Sequence, residues 1–128
     1  MTRLTAAQIK PVKIALLAAQ GGVCAICKQP CAPVTAVLDH DHRTGAVRAA
    51  LHRGCNSLLG KLENNAARYG VKDIGTFTNG VAAYLRMHMT NITGYLHPTH
   101  RTEEEKRVRR NTKARVRRAT KKDTVHVQ

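Results

Sequence analysis

The sequence has no tryptophan, one phenylalanine and three tyrosines among its 128 residues. Aromatic side chains bury the most area per residue, so a core here must be assembled mainly from alanine, valine, leucine and isoleucine. A short chain with so thin a core usually needs a staple, either disulfides or a metal. Acidic residues are scarce too: 8 against 22 Lys and Arg, for a formal charge of +14. No apolar run approaches the roughly 20 residues that span a bilayer. The opening Met1-Thr2-Arg3-Leu4 leads into a polar-punctuated helical pattern, not a signal peptide. These absences argue against a secreted or membrane protein. The charge asks for a polyanionic partner, of which nucleic acid is the commonest.

The charge is unevenly spread. Residues 1–100 hold 11 basic and 4 acidic side chains, and residues 101–128 hold the same numbers in less than a quarter of the length. This predicts a globular zone over residues 1–97 and a basic extension over 98–128, with the boundary near His97-Pro98-Thr99-His100. In the first zone, Ile9, Val12, Leu16 and Ala19 recur at helical spacing. Thr5 and Gln8 have the form of a capping box, but Pro11 would then fall inside the helix, which predicts a start at Lys10-Pro11. Thr35–Leu38 and Ala46–Leu51 are β-compatible, with Arg43-Thr44-Gly45 as the turn, and the first strand should end at Asp39-His40. Leu58, Leu59, Leu62, Ala66 and Tyr69 trace a second helix, stopped by Gly70. A third helix is predicted over Thr78–Met89, with His88 on its apolar face as a core histidine. The fold class is α+β and mostly helical.

Four cysteines, at 24, 27, 31 and 55, admit a disulfide framework or a metal site. Disulfides need an oxidising compartment, which a missing signal peptide disfavours. Cys24-x-x-Cys27 and His52-x-x-Cys55 instead form two tight-turn pairs that make a tetrahedral Cys3His set suited to Zn²⁺. Closing that set ties the feet of the hairpin to the start of the second helix. Cys31 is left over, as a small half-buried residue or as a rival to His52 for the metal.

Between the pairs lies Asp39-His40-Asp41-His42, four ionisable residues at a strand end. Such a run makes a poor core segment, because alternate positions would face inward unpaired. By composition alone it is equally a solvated turn. Folded as strand, turn, strand and helix, however, the chain brings Asn56 close to Asp39 and His40. A carboxylate and an amide oxygen are hard ligands suited to Mg²⁺, and an adjacent imidazole is a plausible general base.

The combined pattern is Cys24-x-x-Cys27, then Leu38-Asp39-His40-Asp41-His42-x-Thr44-Gly45-x-Val47-Arg48, then Leu51-His52-x-x-Cys55-Asn56-x-x-Leu59-Gly60. Over residues 20–65 it resembles the phage recombination endonuclease VII family, within the HNH (ββα-metal) nucleases. The resemblance implies a zinc-stapled ββα-metal core with flanking helices and a basic C-terminal helix or tail. It implies Cys24, Cys27, His52 and Cys55 as structural zinc ligands, and Asp39 and Asn56 as ligands of a catalytic Mg²⁺ or Mn²⁺. It implies His40 as the general base and His42 as a second active-site histidine near the scissile phosphate. His52 stands where the family usually has cysteine, an exchange zinc accepts. The Leu58–Leu59 stretch replaces a glutamate that the family's junction resolvase carries in this turn.

The reaction so implied is hydrolysis of a DNA phosphodiester with a single catalytic cation, since a two-metal clamp needs more carboxylates than Asp39, Asp41, Glu63 and Asp73 supply. Arg43 and Arg48 flank the site and are candidates to grip phosphate. In the extension, Thr102-Glu103-Glu104-Glu105 reads as a second capping box, with Glu103 paired to Arg107 and Glu105 to Arg109. Arg107, Arg109, Arg110, Lys113, Arg115, Arg117, Arg118, Lys121 and Lys122 then fall on nearly every side of a helix, as expected of a DNA contact that positions without reading sequence. The main alternative is a zinc-stapled DNA-binding protein with no catalysis. A junction resolvase should be a homodimer and a nickase can act as a monomer, and no dimer face can be read from the sequence.

Overall fold

The computed structural model describes residues 2–125. It divides into two compact units, the first ending at Ala83 and the second beginning at Tyr84. The element order is α1 (Ala6–Ala19), β1 (Val37–His40), β2 (Val47–Leu51), α2 (Arg53–Asn65), a 3₁₀ turn (Ala66–Tyr69), α3 (Ile74–Met87) and α4 (Glu103–Val125). This is the expected α+β, mostly helical class, with a small two-stranded sheet.

Helix α1 begins earlier than the proline suggested. The Gln8 side chain accepts the Thr5 backbone N–H at 2.8 Å, which fixes the start at Ala6 and leaves Pro11 within the helix. Pro11 is exposed, so the carbonyl it deprives of a donor can turn to water, and the usual cost of an interior proline is reduced. The residue that α1 buries is Leu17, 2% exposed, rather than Ile9 or Ala19. At its C-terminus, the Gln20 amide acts as a short extra strand against β2. Its Nε2 donates to the Ala50 carbonyl at 2.8 Å, and its Oε1 accepts from the Ala50 N–H at 2.9 Å. An open sheet edge is thereby closed by one side chain.

β1 and β2 pair antiparallel, with Val37 opposite Leu51, Leu38 opposite Ala50 and His40 opposite Val47. One residue on β1, Asp39, therefore faces two on β2, Arg48 and Ala49. Such a bulge re-aims side chains, and here Arg48 lies on Asp39. The hairpin turn is held by Asp41, whose Oδ1 accepts the backbone N–H of Arg43 at 2.8 Å and of Thr44 at 3.3 Å. Those donors, the Arg43 N–H first, hold the Asp41 carboxyl below its ordinary range.

The core is small, as the composition required: Leu17, Cys24, Cys31, Ala36, Ala50 and Leu51. Two of these six are cysteines, so thiols supply part of its apolar bulk. The stripe turned inward is Cys55, Leu59 and Leu62 on α2 and Ala66 in the 3₁₀ turn, while Leu58 and Tyr69 are exposed. Gly70 ends this region at φ +76°. Nothing lies within 4 Å of a Cβ built there, so Gly70→Ala should cost only the left-handed backbone penalty of about 1 kcal/mol. Urea unfolding would read this as a lower midpoint with unchanged slope.

Helix α3 starts at Ile74, four residues before the predicted Thr78. Asp73 caps it, accepting from Thr76 Oγ1 at 2.8 Å and Gly75 N–H at 2.9 Å. The face expected to be buried is exposed at Tyr84 and Leu85, and His88 lies beyond the helix, exposed and 4.6 Å from the Tyr84 ring. It is not a core histidine.

In the second unit, α4 is a single helix of 23 residues, roughly 34 Å long. The capping box is there: Thr102 Oγ1 accepts from Glu105 N–H at 3.2 Å, and Glu105 Oε2 accepts from Thr102 N–H at 3.0 Å. Glu105 is thus spent on the cap. The ion pairs run i to i+3, Glu103 with Lys106 and Glu104 with Arg107, not along the predicted Glu103–Arg107 and Glu105–Arg109 pairs. The last three residues of the predicted extension, 126–128, lie outside the described residues. No described helix is long and apolar enough to cross a membrane.

Candidate metal and catalytic site

The chain from Gly22 to Cys31 folds back on itself as a knuckle. Cys24 N–H donates to the Gln29 carbonyl at 2.9 Å, Lys28 N–H to the Cys24 carbonyl at 3.0 Å, and Cys31 N–H to the Gly22 carbonyl at 2.9 Å. Lys28 takes φ +62° to close the turn, a position that favours glycine. This turn puts Cys24 and Cys27 side by side. The second pair, His52 and Cys55, is set by the exit from β2 into α2, where His52 is the N-cap residue.

The ligand atoms of Cys24, Cys27, His52 and Cys55 all lie within 4.8 Å of one another. Cys27 Sγ is 3.3 Å from His52 Nδ1, and Cys55 Sγ is 4.0 Å from it. Tetrahedral bonds of about 2.3 Å to sulfur and 2.0 Å to nitrogen put ligand atoms at such separations. The imidazole is held from behind: its Nε2–H donates to the Pro30 carbonyl at 2.9 Å, which leaves Nδ1 facing the thiols as a ligand. Protonation follows the same logic. Burial pushes the Cys24 thiol up, but N–H donors from Cys27, His52 and Ile26 outweigh it and bring it down to about 6. Cys55 goes the other way, to about 11, through burial and the neighbouring Cys27 and Cys24 thiols. Three sulfurs and one imidazole nitrogen at these separations form a donor set that fits zinc.

Cys31 does not compete. It lies in the core at 5% exposure, outside the four-residue cluster. Burial first, then the charges of Cys24 and Cys27, push its thiol up, so it packs as a small apolar residue.

Asp39 and His40 are at the end of β1, and Asn56 is in the first turn of α2, which packs against β1. Asp39 is buried at 6% and His40 is exposed. His40 and His42 lie together on one side of the turn, ring centroids 4.7 Å apart. The Asp39 carboxylate is held by Arg48, through Nε to Oδ2 at 2.6 Å and Nη2 to Oδ1 at 3.1 Å. Arg48 also reaches Glu63 on α2, through Nη2 to Oε1 at 2.9 Å and Nη1 to Oε2 at 3.2 Å. Arg48, expected to be free for phosphate, is therefore committed to two carboxylates. Glu63 gave no sign in the sequence, because its link to Arg48 depends on the β-bulge. Arg43, by contrast, is open to solvent, its side chain 84% exposed and 4.0 Å from Asp41.

A carboxylate accepts at two oxygens with two lone pairs each, so Arg48 leaves acceptor capacity on Asp39. Two carboxylates against one guanidinium leave this cluster a net negative charge. Asn56 offers a neutral amide on α2, the helix that packs against β1.

A family model described as recombination endonuclease VII matches residues 2–87, a span that holds the knuckle, the hairpin, α2 and α3. Compared with curated proteins, the chain matches none. The matched region covers well over half of the sequence, and a metal-competent Cys3His cluster lies within it, so the chain belongs to the recombination endonuclease VII family, DNA endonucleases that hydrolyse their substrate.

Proposed function

We propose that this protein is an HNH-type endonuclease that cuts DNA with one Mg²⁺ or Mn²⁺ held by Asp39 and Asn56, on a scaffold stapled by zinc. The observation that carries this reading is the pairing of a buried carboxylate, Asp39, with an exposed imidazole, His40, on consecutive residues of one strand end. A buried carboxylate is a positioned ligand, and an exposed imidazole beside it is free to accept a proton from water. When bound, the dication supplies charge neutralisation at the phosphate and at the leaving oxygen.

The chain's own groups do the rest. His40 takes the proton from the attacking water on its free ring nitrogen. His42, its ring against His40, acts near the scissile phosphate. Arg43 is the exposed guanidinium of the turn and grips a phosphate oxygen. The products carry 5′-phosphate and 3′-hydroxyl ends.

Residues 98–128 act as a DNA-contacting extension. Arg107, Arg109, Arg110, Lys113, Arg115, Arg117 and Arg118 lie along α4 with no residue of that helix buried. A helix charged all round has no core face to satisfy and gains most from a phosphate backbone. Deleting residues 101–128 should weaken DNA binding and flatten its salt dependence, by about 0.9 in the log–log slope for each phosphate no longer neutralised. Cleavage chemistry should persist. Fluorescence anisotropy across a salt series reads this, and an unchanged slope would show the extension to be a bystander.

The proposed substrate is a branched recombination intermediate, a reading that the family description supports, and the proposed setting is the cytoplasm of a phage-infected host. Resolving a junction requires two symmetric cuts and therefore two copies of the chain. Linear duplex, four-way junction and single strand, cleaved by one preparation, distinguish the classes. Paired cuts on the junction support a dimeric resolvase; single nicks on every duplex support a nickase; binding without cutting on all three contradicts the enzyme reading.

A further inference from the structure

Arg48 and Glu63 are the charged groups at the site that the proposed chemistry does not use. Asp39 is buried, with its side chain 7% exposed, whereas Arg48 and Glu63 are each about one-third exposed. A buried carboxylate without a cation is costly, so something must neutralise Asp39 before any dication arrives. The bulge in β2 supplies it by placing Arg48 within 2.6 Å of Asp39. The same guanidinium already touches Glu63 through two of its nitrogens, so it can leave Asp39 without losing a carboxylate partner.

We propose that Arg48 is the resident cation of Asp39 and competes with the divalent metal for it, with Glu63 as the seat that receives the guanidinium when the metal binds. This rests on the reading of Asp39 as a ligand of the catalytic cation. The pair is a positioning device, since neither residue touches the reacting atoms. It has two consequences. Without metal, the buried Asp39 carboxylate has a cationic partner and is not left unpaired. With metal, Arg48 is parked one hydrogen bond away on α2, and its charge opposes that of the dication. Removing Arg48 should therefore tighten metal binding. Removing the charge of Glu63 should weaken it, because Arg48 is then left with Asp39 alone and the cluster loses its net negative charge. A unit charge that is one-third exposed, screened by solvent and able to swing away from the dication changes affinity on the order of tenfold.

The test is Mn²⁺ binding to the zinc-loaded full-length protein without DNA, followed by electron paramagnetic resonance at fixed ionic strength. Wild type is compared with Arg48→Gln, Glu63→Gln and Asp39→Asn. The expected result is about tenfold tighter binding for Arg48→Gln, several-fold weaker binding for Glu63→Gln and loss of the site for Asp39→Asn. Thermal unfolding adds a second readout: Arg48→Gln should melt lower than wild type without Mn²⁺ and gain more on adding it. If Arg48→Gln does not fold, Arg48→Lys serves instead, because lysine cannot bridge both carboxylates in a fork and should also tighten Mn²⁺ binding. Affinities unchanged or weakened in the Arg48 variants, with Asp39→Asn abolishing binding, would overturn the competition. Wild-type binding that Asp39→Asn leaves intact would instead overturn the reading of Asp39 on which it rests.

Discussion

Stripping the metal from the Cys24, Cys27, His52 and Cys55 cluster is expected to abolish the cooperative fold of the nuclease unit, not merely lower its activity. The reason is the size of the core. Six residues form it, and two of them are cysteines. One of these, Cys24, is itself a cluster residue and the other, Cys31, packs two residues beyond the knuckle's turn. The knuckle meets the step from β2 into α2 at the cluster and the His52–Pro30 hydrogen bond, while the Gln20–Ala50 amide pair ties the end of α1 to β2. A structural zinc site of this kind provides apparent binding energies of about 10–16 kcal/mol at neutral pH, as large as a small domain's entire stability. The expected result is one zinc per chain by mass spectrometry of the native protein. A strong chelator should remove the thermal transition of the unit ending at Ala83, and added zinc should restore it. Cys27→Ser should behave like the chelated protein, because it removes one of the three sulfurs of the cluster, 3.3 Å from His52 Nδ1. A chelated protein with an unchanged melting curve would show that the core stands alone.

His40→Ala is expected to lower cleavage about a hundredfold to ten-thousandfold, the usual contribution of a positioned general base. Zinc content and melting temperature should hold. The side chain is exposed at the end of β1, so its truncation opens no cavity. The fall should appear in the cleavage rate with DNA affinity preserved, because positive charge on the arginines and lysines governs binding. A His40→Ala protein that cleaves at the wild-type rate would remove the base assignment and move attention to His42, whose ring lies beside it.

Much of this site was legible in the sequence because it is local. Cys24-x-x-Cys27 and His52-x-x-Cys55 each close a single turn, so the spacing alone predicts ligand pairs, and the hairpin between them follows from Arg43-Thr44-Gly45. The capping boxes at Thr5 and Thr102 were visible for the same reason. What escaped depends on tertiary register. The Arg48–Asp39–Glu63 link needs a bulge that sets two β2 residues against one on β1, and no periodicity marks it. The burial of Leu17 instead of Ile9 depends on which face of α1 meets β2. At the start of α1 the Thr5–Gln8 cap and the proline rule compete, and the cap prevails because the carbonyl that Pro11 leaves without a donor can turn to water. At Glu105, two favourable roles competed, and the cap displaced the predicted ion pair with Arg109.

The most direct measurement of the catalytic claim is nicking of supercoiled plasmid by zinc-loaded protein, with and without added Mg²⁺ or Mn²⁺, beside the Asp39→Asn protein at matched zinc content. Conversion to open circles that requires the added dication and disappears in Asp39→Asn is the predicted result. Nicking that proceeds equally without the dication, or at full rate after the carboxylate is neutralised, would contradict it.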